Sequence, residues 1–159
     1  MIDSTDLAIL NIIQNNGRIS NAELARMISM APSGVLERIK KLEKKGIILG
    51  YEVRLNHKAL GVSLVTFIHI KTMESVGGAE IGRQLARIAE IQEVHWLAGE
   101  FNYLVKAKIN STDSLTALLR KIGAIQGVTD SRTTLVLDTL KEGQAIAAGL
   151  IDHKKKGAS

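Results

Sequence analysis

The chain contains no cysteine, a single proline (Pro32), and only two Phe, two Tyr and one Trp. Without cysteine, disulfides and thiolate metal sites are excluded. No stretch approaches the roughly 18 uninterrupted apolar residues of a membrane span, so no membrane partner is expected. The N-terminus carries Asp3 and Asp6 where a secretory leader needs basic residues and then an apolar run, which points to a cytoplasmic protein. Aromatics make up 3% of the chain, yet a hydrophobic fraction of 45% excludes a disordered one. A length of 159 residues suffices for one or two small domains with real cores. Lys and Arg number 21 against 16 Asp and Glu, a net charge of +5 that favours a polyanionic partner.

That charge is organised in residues 20–46, SNAELARMISMAPSGVLERIKKLEKKG, which read as two short helices around a tight turn. Ser20 and Glu23 have the spacing of a capping box, and Leu24, Met27 and Ile28 follow at helical spacing. Pro32 opens the second helix, where its missing N–H costs nothing. Val35, Ile39 and Leu42 recur at i, i+4, i+7 and must face inward. At about 100° per residue, Ser33, Glu37, Lys40, Lys41 and Lys44 then lie on the opposite face. Gly46 ends the helix with Lys44 and Lys45 in its last turn, where cations suit the helix dipole. A helix-turn-helix presents its recognition helix to the DNA major groove in this way. Arg38, Lys40, Lys41 and Lys44 are the candidates for phosphate neutralisation, and Ser33, Leu36 and Glu37, nearer the helix start, for base edges. Glu37 would sit near phosphates unless it accepts from a cytosine amine or pairs with Lys41.

Asp3 or Ser4 caps an earlier helix carrying Leu7, Leu10 and Ile13, and Asn15-Asn16-Gly17 stops it. The run IILGYEVRL, hinged at Gly50, predicts a β-hairpin wing. Residues 1–53 are therefore expected to form a winged helix-turn-helix, 54–61 a linker, 62–140 a second domain and 141–159 a tail. From Val62 the period changes. VSLVTFIHIKTM predicts a strand, and a helix with Ile81, Leu85 and Ile88 on one face follows Gly77-Gly78. IQEVHWLA and YLVKAKI, joined by a turn over Gly99–Asn102, predict two more strands. Ser111 caps a helix bearing Leu115, Leu118, Leu119 and Ile122, and 128–137 supplies a fourth strand. The order is that of an α+β, ferredoxin-like βαββαβ domain. RIAEIQEV (87–94) and KIGAIQGV (121–128) repeat at 34 residues, each running from a helix end into a strand, as two βαβ halves require. The first strand sets Val62, Leu64, Ile68 and Ile70 against Val65 and Phe67, and the fourth sets Leu135 and Leu137 against Val136. Both sheet faces therefore read as largely apolar, and a second subunit is expected over the one without helices. In the tail, EGQAIAAGLIDH is at most a weak helix, and Lys154, Lys155 and Lys156 read as a solvated, frayed end.

Taken together, DLAILNIIQNNGR, LARMISMAPSGVLERIKKLEKKGII, GYEVRLNHKALG, AGEFNYLVKAKI and GVTDSRTTLVL stand in the order and spacing of the Lrp/AsnC (feast/famine) family of transcription regulators. The chain resembles that family from Asp6 to about Leu137. The resemblance implies regulation of transcription on double-stranded DNA and a second domain that forms homodimers, commonly assembled to octamers. It also implies a small effector, typically an amino acid, and no cofactor or metal. Carried onto this sequence, the effector site comprises Gly99, Glu100, Phe101, Asn102 and Tyr103 with Ser131, Thr133 and Thr134. Gly99 would admit close backbone approach, Glu100 or Asn102 would accept from an ammonium group, and the hydroxyls would complete the shell. The family turn usually reads Gly-Asp-aromatic-Asp; here Glu100 and Asn102 replace the acids.

Two other readings share this architecture. An architectural DNA-binding protein would need the first domain and no effector. Sirohaem decarboxylases look similar in domain order, so fold alone does not decide against catalysis. The four histidines, His57, His69, His95 and His153, have neither metal-ligand spacing nor a nucleophile pattern beside them, and no catalytic residue is assigned.

Overall fold

The computed structural model describes residues 2–143 and 145–147. The chain divides into two compact units, one formed by residues up to Arg54 together with those from Glu142 onward, the other by Leu55–Lys141. No helix among the described residues is long and apolar enough to cross a membrane.

The first unit holds α1 (Ser4–Ile13), α2 (Asn21–Met27) and α3 (Pro32–Lys44). Asp3 caps α1, and a reciprocal box closes: the Asp6 N–H donates to Asp3 Oδ1 at 2.8 Å and the Asp3 N–H to Asp6 Oδ2 at 3.2 Å. At α2 the box closes on one side, with the Glu23 N–H donating to Ser20 Oγ at 3.1 Å. Ile9, Leu24, Ala25, Val35, Ile39 and Leu42 pack as the buried core, so the stripe expected on α3 is the one that faces inward. Both α2 and α3 end in the same hydrogen-bond pair. After α3 the Ile47 N–H donates to the Leu42 carbonyl and the Gly46 N–H to that of Glu43, both at 2.9 Å. After α2 the Met30 N–H donates to Ala25 (2.9 Å) and the Ser29 N–H to Arg26 (3.4 Å). This Schellman ending needs a left-handed residue, and Gly46 (φ 65°) and Ser29 (φ 55°) supply it. A Cβ costs about 1–2 kcal/mol in that conformation. Gly46→Ala is therefore expected to destabilise the unit by about 1 kcal/mol in urea unfolding.

The wing expected over 47–55 does not form. Residues 47–63 contain no strand, and Gly50 lacks the positive φ that a two-residue hairpin turn requires. The β-prone residues run on unpaired, with Leu49 93% and Val53 83% exposed. The segment read as a linker is a hydrogen-bonded turn of the second unit: Asn56 Oδ1 accepts from the Ala59 N–H, and His57 Nδ1–H donates to the Val62 carbonyl at 2.6 Å. The start of the tail belongs to the first unit, where Gln14 exchanges two hydrogen bonds with the backbone of Ile146. The expectations for Gly149 and Lys154–Lys156 lie outside the described residues.

The second unit is built from β1 (Leu64–Thr72), α4 (Glu80–Leu85), β2 (Ile91–Trp96), β3 (Tyr103–Ile109), α5 (Thr112–Gly123) and β4 (Val128–Val136). Its sheet has the order β2-β3-β1-β4 with every neighbouring pair antiparallel, the ferredoxin-like arrangement. Ile68 and Ile70 of β1 and Tyr103, Val105, Ala107 and Ile109 of β3 meet Ile81, Leu85, Leu118 and Ile122 of the helices in one core. The 34-residue echo has a structural counterpart: Ile91 N–H donates to Ile88 and Ile125 N–H to Ile122, the same turn in both helix-to-strand connections. Helix α4 stops at Leu85, so Ile88 packs on the core from that turn rather than from the helix.

The helix-free face carries Val65, Phe67, Leu104 and Val136 along its middle, with Lys106 bridged to Glu93 at 3.0 Å beside His95. It is mixed rather than largely apolar. Val62 precedes β1, Leu137 follows β4, and Leu135 lies on the helix side.

Candidate DNA-binding helix and effector site

On α3 the structure leaves Ser33, Leu36, Glu37, Lys40, Lys41 and Lys44 exposed in one band, opposite the buried stripe. Glu37 does pair with Lys41, at 3.8 Å between two well-exposed side chains, a contact worth only tenths of a kcal/mol. Arg38 is a correction. It lies sixty degrees from Val35 around the helix, and its guanidinium reaches back to α1, donating to Asp3 Oδ2 and Asp6 Oδ1 at 2.7 Å each. Hydrogen bonding to these carboxylates raises the Arg38 pKa further, and the Asp6 N–H and Arg38 hold the Asp3 carboxyl below its ordinary value. Arg38 therefore ties α3 to the start of α1, a role that the helical pattern did not suggest. Ala31 provides no side-chain cap to the first turn of α3.

In the second unit the turn between β2 and β3 is held by Asn102. Its N–H donates to the Ile70 carbonyl (2.9 Å), its carbonyl accepts from Leu97 (2.8 Å), and its Oδ1 accepts from the Thr72 N–H (2.7 Å). The Asn102 side chain is thus engaged in holding the turn itself. Gly99 has no atom near the position of a Cβ, so nothing in the fold demands glycine there and the space beside it is open. Glu100 faces Lys71 at 3.8 Å. The Phe101 ring stands edge-on to His69 at 5.5 Å, with the Arg132 guanidinium over its face at 5.2 Å.

Tyr103 is a further correction: it begins β3 on the helix side of the sheet, buried, and is absent from the open turn. Its hydroxyl donates to Glu74 Oε2 at 2.5 Å, and its ring lies where a Cβ on Gly82 would come within 2.7 Å. Glu74 Oε1 accepts from the Glu80 and Ile81 N–H groups, capping α4 in place of Ala79. Burial pushes the Glu74 carboxyl up, but the hydrogen bonds from Tyr103, Ile81 and Glu80 outweigh it and the net shift is downward. Burial and the Glu74 carboxylate push Tyr103 up to about 12.

Ser131 and Thr133 pair with Ile70 and Ile68 and so share the helix side, whereas Thr134 pairs with Phe67 and shares the other face with Arg132. The expected hydroxyls therefore do not form one shell with Phe101. That His69, Lys71 and Arg132 share the face of Thr134 becomes visible only when β1 and β4 are set in register. Among the described residues no group of His, Asp and Glu could hold a metal. His57 ties a turn, His69 packs on Phe101, His95 faces Glu93 at 3.1 Å, and His153 lies outside the described residues.

Two family matches bear on this geometry. Residues 2–48 match a family described as winged helix-turn-helix DNA-binding, and residues 65–146 match the Lrp/AsnC ligand binding domain. The leucine-responsive regulatory protein of Haemophilus influenzae is 34% identical over 144 residues, covering 89% of this chain and 87% of its own. That of Escherichia coli K12 is 34% identical over 150 residues, covering 91% and 90%. The chain belongs to the Lrp/AsnC family. Solved structures of the Lrp/AsnC type agree with its fold. Escherichia coli AsnC superposes with a TM-score of 0.83 at 27% identity, over 91% of this chain and 98% of that one. A Neisseria meningitidis transcriptional regulator in complex with L-Met gives 0.85 at 27%, over 92% and 97%. A Mycobacterium tuberculosis feast or famine regulatory protein complexed with L-methionine gives 0.85 at 27%, over 92% and 99%. The Lrp/AsnC assignment makes the chain a transcriptional regulator with a helix-turn-helix domain and a ligand-binding domain.

Proposed function

We propose that this Lrp/AsnC regulator binds duplex DNA as a dimer or higher oligomer through α3, under control of an amino acid or related effector at the Gly99–Asn102 turn. The observation that carries the reading is the exposed band of Ser33, Leu36, Glu37, Lys40, Lys41 and Lys44 on a helix whose opposite stripe is fully committed to the core. Lys40, Lys41 and Lys44 neutralise phosphates, and Ser33, Leu36 and Glu37 meet base edges. The apolar strip Val65, Phe67, Leu104 and Val136 supports a subunit contact over the helix-free face, narrower than the sequence suggested and bordered by charges that fix its register. A two-fold pair would present two α3 helices to a symmetric site, and family members pair further into octamers. Fluorescence anisotropy on labelled duplexes, run across a salt series with the particle mass measured by light scattering, tests this. The expected result is a log affinity that falls linearly with log salt, on a particle of at least two chains. Salt-independent binding, or a monomer that binds as well as the assembled form, overturns it.

A further inference from the structure

The exposed band of α3 is divided along its length. Its second half, Lys40, Lys41 and Lys44, is wholly cationic, whereas its first half, Ser33, Leu36 and Glu37, carries no cation. The helix opens on Ala31, Pro32, Ser33 and Gly34, all short, so Leu36 and Glu37 are its first long exposed side chains. Leu36 is 40% exposed and is not among the residues that pack on the core. The Glu37 side chain is 76% exposed, and its carboxylate stands 3.8 Å from the Lys41 ammonium, too far for a hydrogen bond. The other carboxylate of the helix, Glu43, is held by the Tyr51 hydroxyl, which donates to it at 3.1 Å. Glu37 is thus a loosely held acid on the side of the helix that meets a polyanion. It is repelled by phosphates, and once Lys41 turns to one it loses even that neighbour.

We propose that Glu37 selects cytosine and Leu36 selects thymine at neighbouring base pairs of each half-site. The assignment rests on the docking of α3 proposed above and gives it a base preference. In a recognition helix the N-terminal residues meet base edges, which sets these two, rather than the lysines, over the groove floor. Guanine (N7, O6) and thymine (O4) offer a carboxylate only acceptors there, and adenine sets N7 beside its amine. Cytosine presents the N4 amine with no acceptor of its own in the groove. A carboxylate at this place therefore discriminates chiefly by repelling the other three bases. The thymine methyl is the apolar group of the major groove, and a leucine side chain without other packing suits it. One residue step in a helix is about 1.5 Å along the axis and about 100° around it. The two side chains accordingly flank the midline of the band and reach adjacent pairs. The Ser33 hydroxyl donates or accepts equally well and adds no such preference.

Selection from a pool of random duplexes by the full chain, then fluorescence anisotropy on single-base variants of the enriched duplex, tests the assignment. Each enriched half-site is expected to carry a cytosine next to a thymine. Exchanging that cytosine for adenine should cost the wild type about tenfold in affinity. Exchanging the thymine for uracil, which removes only the methyl group, should cost about fourfold and needs no variant to fold. Glu37→Gln should bind the cytosine and adenine duplexes alike, since an amide can donate to adenine N7. Leu36→Ala should bind the thymine and uracil duplexes alike and keep the cytosine preference. Enriched sites without a fixed cytosine overturn the assignment. So does Glu37→Gln that tightens every duplex by one factor and keeps the preference, which marks Glu37 as a general repulsion. A wild type indifferent to uracil, or Leu36→Ala still sensitive to it, removes Leu36 from the thymine methyl. Salt-dependent binding with no sequence enriched overturns the base assignment and leaves the docking of α3 standing; salt-independent binding removes both.

Discussion

Replacing Lys40, Lys41 and Lys44 together by alanine is expected to weaken binding to any duplex by about a hundredfold per protomer at ~0.15 M salt. Each phosphate neutralised contributes a slope of about −0.9 in log affinity against log salt, so one contact is worth a factor of about five at that concentration. Three contacts multiply to about a hundredfold, and the slope should become shallower by roughly 2.7. All three side chains are exposed, and the buried stripe is untouched, so circular dichroism and melting should match the wild type. An unchanged slope would remove α3 from the DNA face. Arg38→Ala provides the contrast. Its guanidinium is spent on Asp3 and Asp6, so the salt slope should stay while the melting temperature drops.

The second large effect is on stability. Tyr103→Ala empties a fully buried ring site between Gly82 and Glu74 and is expected to cost about 3–5 kcal/mol. For a unit of this size that lowers the unfolding temperature by more than about 12 °C. Tyr103→Phe keeps the ring and loses only the bond to a carboxylate, about 1.5–3 kcal/mol. Both variants also differ from the wild type in how stability depends on pH. Tyr103 titrates at about 12 in the folded chain and near 10 when unfolded. Its contribution is therefore complete below pH 10 and is lost as pH rises toward 12, because the unfolded chain releases the proton first. Phenolate absorbance should show a late step near pH 12 that vanishes in Tyr103→Phe. Tyr51, raised by burial and by Glu43, remains in that variant as the internal comparison.

What the sequence made legible depends on how local the deciding interaction is. The α3 stripe of Val35, Ile39 and Leu42 and the caps at Asp3, Ser20 and Ser111 are set within one or two helical turns, and all appear. The wing was misread because β-propensity reports a suitable surface and not the presence of a partner strand. Ile47–Leu55 has the composition but no ladder within this chain. Arg38 was misread because its partners lie 32 and 35 residues away, beyond any helical wheel. The residues expected around an effector are divided between the two faces of the sheet. Strand parity sends Tyr103, Ser131 and Thr133 to one side and Arg132 and Thr134 to the other. Asn102 looked like a ligand because a turn's own hydrogen bonds leave no mark on composition.

The alternation along β3 has a mechanical consequence. Tyr103, Val105, Ala107 and Ile109 are clamped in the helical core, while Leu104 and Lys106 belong to the opposite face, and ladders to β1 and β2 hold both edges. A slip by one residue would exchange the two sets, burying Lys106 and exposing Tyr103. The strand therefore cannot slide. The Tyr103 hydroxyl, on Glu74 Oε2, thereby ties the first residue of this register-locked strand to the start of α4, whose Glu80 N–H shares the same carboxylate.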